Sequence, residues 1–167
     1  MTLHIGNINY SSWSMRAGVL LRAFDIDFTK NLIIFDSFQA DSTFKQSVLQ
    51  LTPTGTVPLL AEDTLKTRQG QPLVVTDTLS IVEFIAERYP HHAIWPRDLA
   101  LRNMARNLCA EMHSGFVALR QHPMMNIGPD LSHAGAIVWR DQPTVCRDVA
   151  RIEAAWAICL AQSDGPF

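Results

Sequence analysis

An α/β domain followed by an all-helical region is the architecture this sequence predicts. Short strand-like apolar runs alternate with helical stretches up to about residue 90, and beyond that point only helical periodicity remains. The order read along the first part is β-α-β-α-β-β-α.

Residues 3–5 are a short apolar run and a candidate first strand, and the polar stretch 7–12 reads as a loop. A helix is expected over 14–24, with Met15, Val19, Leu20 and Ala23 turned inward. Phe28, Leu32, Ile33 and Ile34 mark a second strand over 27–35, and a short helix fits 43–51. Thr52-Pro53-Thr54-Gly55 is turn chemistry, after which residues 57–60 and 72–75 read as two strands joined by a loose polar hairpin over 62–71. A helix over 77–89 places Leu79, Val82, Ala86 and Tyr89 on one face, with Thr76, Asp77 and Thr78 as capping side chains and Pro90 as its stop. A linker with two prolines and a histidine pair follows, anchored by Trp95.

Residues 99–121 read as one long helix, with an apolar stripe of Leu101, Met104, Ala105, Leu108, Met112, Phe116 and Leu119. A second long helix is expected over 144–162, capped by Thr144, with Val145, Val149, Ile152, Trp156 and Leu160 on its apolar face. Trp139 and Trp156 are expected in the core, and the three cysteines as small buried residues. The divisions are then an α/β domain over 1–90, a linker over 91–98 and helical chain over 99–167. A parallel βαβ unit, an antiparallel β-β pair and a closing helix make the first part thioredoxin-like, with helices on both faces of a four-stranded mixed sheet.

Composition narrows the function classes. The chain has 167 residues, 47% hydrophobic and 18% charged, which is globular composition with enough length for a sizeable core. Fourteen basic residues against sixteen acidic leave a net charge of −2 and no basic stripe, so no nucleic-acid partner is expected. No apolar run reaches a membrane-spanning length of about 18 residues, and the first ten residues lack signal-peptide character, so a cytoplasmic protein is expected. Cys109, Cys146 and Cys159 make no disulfide framework or CxxC motif, and adjacent His91 and His92 read as solvated linker residues, so no metal is expected.

Three segments carry the candidate chemistry: 9–16, NYSSWSMR, at a strand-to-helix junction; 54–60, TGTVPLL; and 76–81, TDTLSI, at a helix start. A thioredoxin-like fold brings them to one end of the sheet. A hydroxyl at a helix N-terminus can donate to a thiolate and, with the helix dipole, lower a thiol pKa below its usual value of about 8.5. The backbone of Val57 can pair with an extended peptide by strand addition. Asp77 suits an ammonium, and Thr78 at a helix N-terminus suits a carboxylate. Taken alone, without the other two segments, the serines at 11, 12 and 14 read as no more than helix caps.

These segments resemble the cytosolic glutathione S-transferases with a serine active site. The chain is similar to the bacterial branch with NYSSWS-type loops and more distantly to the zeta class. TPTGTVPLL matches the family's Val-Pro segment, TDTLSIVEFIAERYP its following helix, AIWPRD its interdomain linker and AEMHSGFVALR its first long C-terminal helix. The resemblance implies Ser11 as the catalytic serine with Ser12 as its neighbour, and a cis peptide at Val57–Pro58. It implies Val57 and Pro58 at the cysteinyl backbone of glutathione, and Asp77 and Thr78 at its γ-glutamyl end. The role of Arg16 is left open. The implied activity is conjugation of glutathione, as co-substrate and with no bound cofactor, to a small electrophile in detoxification by a cytoplasmic homodimer. Trp13, where the zeta class has cysteine, argues against a plain maleylacetoacetate isomerase.

The alternative is a non-catalytic binding module of the same fold, or an inactive fragment, with isomerase or peroxidase chemistry third. The family continues through several more helices where this sequence has Ser163-Asp164-Gly165-Pro166-Phe167, so a fragment or truncated product is expected, with exposed apolar surface on both long helices.

Overall fold

Alternation of side chains along four short strands gives one mixed sheet two apolar faces. In the computed structural model, which describes residues 1–37 and 39–162, β1 (Thr2–Ile5) runs parallel to β2 (Thr29–Leu32) and antiparallel to β3 (Leu59–Lys66). β3 pairs antiparallel with β4 (Pro72–Thr76), for a strand order of β2-β1-β3-β4. Leu3 pairs with Leu60 and His4 with Leu59, so consecutive leucines of β3 serve opposite faces. The Leu60 face carries a core of Leu3, Ile5, Leu60 and Ile26 with Ala17 and Leu21 of α1 (Ser12–Ala23) and Ile81 and Ile85 of α3 (Thr78–Arg88). The Leu59 face packs Ile33 with Phe44 and Val48 of α2 (Thr43–Leu49). This is the thioredoxin-like arrangement.

Two helices are rotated from their sequence-based phase. In α1 the buried residues are Ser14, Ala17 and Leu21, while Met15 and Val19 are exposed. Small residues face inward because α1 lies close to α3 and the sheet, with Leu3 touching the space above Gly18. In α3 the buried line is Thr78, Ile81 and Ile85, not Leu79, Val82, Ala86 and Tyr89. The hairpin is tighter than expected. β3 continues to Lys66 through a bulge, and the turn closes with Thr67 N donating to Gln71 O at 2.8 Å and Gly70 at φ +77°. The second strand is shorter than expected, because only Thr29–Leu32 pairs before Ile33 turns into the α2-side core.

Glu62, buried beside that bulge, accepts from Thr64 N at 3.0 Å and Thr64 Oγ1 at 2.8 Å through one carboxylate oxygen. These bonds, the Thr64 N–H first, hold its carboxyl below its ordinary value of 4.5 against the opposing effect of burial, helped by the N-terminal amine and Arg88. A depressed pKa means the unfolded chain binds the proton more readily. The contribution is therefore complete above the ordinary value and is lost as pH falls through the lowered one. Glu62→Gln is expected to cost about 1 kcal/mol at neutral pH and to flatten the acid limb of thermal midpoint against pH. An unchanged acid limb would remove Glu62 from the account.

The chain divides into two compact units, Met1–Leu99 and Ala100–Phe167. The long helix expected over 99–121 is broken into α4 (Leu99–Ser114) and α5 (Val117–Gln121). A Cβ on Gly115 would stand 2.8 Å from the Glu111 carbonyl, and Phe116 takes a left-handed φ of 56°, so the helix ends there. α6 (Ser132–Asp141) was not expected; nearly all of it is exposed, so no buried stripe marks it in the sequence. α7 (Pro143–Leu160) begins at Pro143 with no side-chain cap, not at a Thr144 cap.

The second unit's core is thin, with only Phe116, Val145 and Ala155 buried among the described residues. Arg151 clasps Glu111 bidentately at 2.6 Å, joining α7 to α4, and Asp148 accepts from Leu119 N at 3.0 Å. Trp139 and Trp156, expected in the core, are 55% and 66% exposed: Trp139 lies on α6, which buries none of its residues, and α7 turns Val145 and Ala155 inward in place of Trp156. The apolar stripe of α4 is half-buried, whereas α7 exposes Trp156, Ile158 and Leu160. The three cysteines are partly exposed rather than buried. The expectations at 163–167 lie outside the described residues.

Candidate functional site

The turn leaving β1 positions the first segment. Asn7 O accepts from Tyr10 N at 3.1 Å and Ser11 N at 2.9 Å, and Asn7 Oδ1 accepts from Phe35 N at 2.7 Å, tying the turn to the chain beyond β2. Ser11 caps α1: its Oγ accepts from Ser14 N at 3.3 Å and donates to Ser14 Oγ at 2.8 Å. Ser14 is buried, and its Oγ also accepts from Gly6 N at 3.1 Å. Ser12 is half-buried at the first position of α1, and its hydroxyl has no partner among the described residues. The N-terminal end of α1 thus presents hydroxyls where the dipole favours negative charge.

Gly6 is the meeting point of the first and second segments. A Cβ there would lie 3.3 Å from Val57 Cγ2, 3.4 Å from Ser11 Cβ and 3.5 Å from Ser11 Oγ. Pro58 is buried behind Val57, and the bond between them is cis. Upstream, Gly55 at φ +62° receives Lys45 Nζ on its carbonyl at 2.7 Å, which places a cation of α2 at this loop.

The third segment reaches the first through α1. Thr78, buried at the start of α3, donates through Oγ1 to the Trp13 carbonyl at 3.5 Å. Asp77 is exposed, takes φ 74°, and caps α3 by accepting from Leu79 N at 2.8 Å. Arg16 lies over the Trp13 ring, its guanidinium carbon 4.2 Å from the centroid.

Ser11, Val57 and Thr78 are therefore linked through Gly6 and Trp13, and Asp77 flanks Thr78 on its solvent side. Gly6 and Lys45 gave no sequence signal, since a lone glycine after a strand and a lysine in a weak helix are unremarkable. Ser14 had one in its three-residue spacing from Ser11, which is the distance from an N-cap to the backbone N–H it satisfies.

Gly6→Ala is expected to force Val57 or Ser11 aside by a few tenths of an ångström and to cost about 1 kcal/mol or more. Gly135→Ala, in α6 with nothing within 4 Å, is expected to be neutral or stabilising. Thermal melts of the two variants compare them, and equal midpoints would contradict the close approach at Gly6.

Among the described residues no group of three or more metal-ligating side chains converges, and no helix is long and apolar enough to cross a membrane. Residues 10–88 match the family model described as glutathione S-transferase, N-terminal domain. Glutathione S-transferase Z1 of Arabidopsis thaliana is 31% identical over 100 residues, covering 56% of this chain and 39% of that protein. Glutathione S-transferase 1 of Dianthus caryophyllus is 26% identical over 111 residues, covering 65% and 44%. The matches span less than half the length of these relatives. Among solved structures, a Burkholderia glutathione transferase homologue with bound glutathione is 28% identical at a TM-score of 0.54, covering 72% of this chain and 56% of that one. A glutathione S-transferase of the Antarctic clam Laternula elliptica shares the fold at a TM-score of 0.64 and 17% identity, covering 98% and 67%.

Proposed function

We propose that the N-terminal domain, whose residues 10–88 match the glutathione S-transferase N-terminal family model, binds glutathione and that Ser11 holds its sulfur as a thiolate for conjugation to a small electrophile. The observation that carries the reading is that Ser11 and Val57 both close on Gly6, which sets a hydroxyl donor and a peptide-pairing segment around one glycine. In this reading Val57 pairs through its backbone with the cysteinyl residue and Pro58 holds the segment. Thr78 and the start of α3 receive the γ-glutamyl carboxylate, and the exposed carboxylate of Asp77 faces its ammonium. Lys45, held at the Gly55 carbonyl, supplies a cation for the other carboxylate of the tripeptide. Ser12 is the neighbouring hydroxyl. Binding then supplies proximity between thiolate and electrophile. The family match extends the proposal to a cytoplasmic homodimer.

Calorimetric titration tests the site. Wild-type protein is expected to bind glutathione in the micromolar to millimolar range. Thr78→Val, which keeps the shape and loses the hydroxyl, is expected to weaken binding about tenfold. A folded protein that does not bind glutathione would overturn the proposal. Exposed Trp139 and Trp156 favour the second reading, a non-catalytic binding module, which retained glutathione affinity without thiol transfer would establish.

A further inference from the structure

Ser14 is the one buried hydroxyl in contact with Ser11, and the transfer chemistry proposed above does not use it. Its oxygen offers two lone pairs and one proton. One lone pair takes Gly6 N–H at 3.1 Å, and Ser11 Oγ stands 2.8 Å away on the other side. Ser14 is 3% exposed, so bulk solvent has little access to its hydroxyl. With Ser11 donating, the proton of Ser14 has no acceptor among the described residues. Burying an unmade donor is costly, and the pair has one arrangement that avoids it. If both hydroxyls turn, Ser14 donates to Ser11 and Ser11 donates outward, away from the helix.

We propose that Ser14 is a positioning residue that, through the chain Gly6 N–H to Ser14 O–H to Ser11 O–H, aims the Ser11 proton at the glutathione sulfur and strengthens it as a donor. The inference rests on the reading of Ser11 as the thiolate donor. Each bond in such a chain polarises the next, so a backbone amide at the closed end makes the open end a better donor to a negative charge. No bond breaks and no proton changes owner; two hydroxyls rotate. The backbone bond from Ser14 N to Ser11 Oγ, at 3.3 Å, keeps the Ser11 oxygen in place while its proton turns.

The test is the titration of the bound thiol, followed by ultraviolet thiolate absorbance across a pH series. It compares wild type, Ser14→Ala, Ser14→Cys and Ser11→Ala, and glutathione affinity is measured beside it at acid pH, where the thiol is protonated. Ser14→Ala is expected to raise the apparent thiol pKa by about half to one unit, with an affinity change at acid pH of less than about twofold. Ser14→Cys preserves the volume with a weaker donor and is expected to shift the pKa in the same direction, and it decides the matter if the alanine variant does not fold. An unshifted titration in a folded Ser14 variant, with Ser11→Ala shifted, would overturn the relay and leave the serine reading standing. An unshifted titration in Ser11→Ala would overturn the serine reading and the relay with it.

Discussion

Ser11→Ala is expected to lower the kcat/KM of glutathione conjugation by about 10²-fold or more, the loss typical of removing one aimed donor from a developing or fixed anion. The same substitution removes the N-cap of α1, since Ser11 Oγ accepts from Ser14 N. Loss of the cap costs about 1 kcal/mol, a minor part of the total stability of about 5–15 kcal/mol, so the variant stays folded. Ser11→Thr keeps both cap and donor and is expected to retain activity within about tenfold. Steady-state rates with an activated aryl halide, paired with melting curves, separate the two roles. If Ser11→Ala keeps its activity and Ser12→Ala loses it, the donor is Ser12, whose hydroxyl is unengaged among the described residues.

The largest stability effect is expected at Ile81. This side chain of α3 is fully buried and packs with Leu3, Ala17, Leu21 and Leu60, so it touches the layer that carries both Ser14 and the start of α3. Ile81→Ala leaves a cavity and is expected to cost about 2–5 kcal/mol, a large fraction of the whole. Glutathione affinity should fall with the folded fraction, since Thr78 lies one turn away on the same buried line. Trp156→Ser, at a larger but 66% exposed side chain, is expected to change stability by no more than about 0.5 kcal/mol. Denaturant unfolding of both variants decides it. A Trp156 effect equal to that of Ile81 would mean the tryptophan is covered in solution.

The three segments of the proposed site announce themselves in the sequence because their residue types are local signals. Turn residues, a proline after valine and hydroxyls at helix starts identify themselves by type, and the β-α-β-α-β-β-α element order followed from strand-like runs alternating with helices. Helix phase was less legible. α1 turns Ser14 and Ala17 inward because close packing takes small residues, whereas a hydrophobic stripe is drawn from large ones. The break after Ser114 depends on Gly115 and on the left-handed Phe116, a conformation that a phenylalanine does not announce. α6 carries too little buried surface to leave a periodic signal. Gly6 matters through what approaches it across the fold from Val57, and single-sequence pattern does not carry such contacts.

In the proposed function, the end of β1, the Val57–Pro58 segment and the starts of α1 and α3 form one glutathione site. The most direct measurement is an amide NMR titration of the wild-type chain with glutathione. Shifts are expected to saturate together at Gly6, Ser11, Ser14, Val57, Asp77 and Thr78, with the α6 amides unmoved. Shifts confined to other residues, or none at millimolar glutathione in a folded protein, would contradict it.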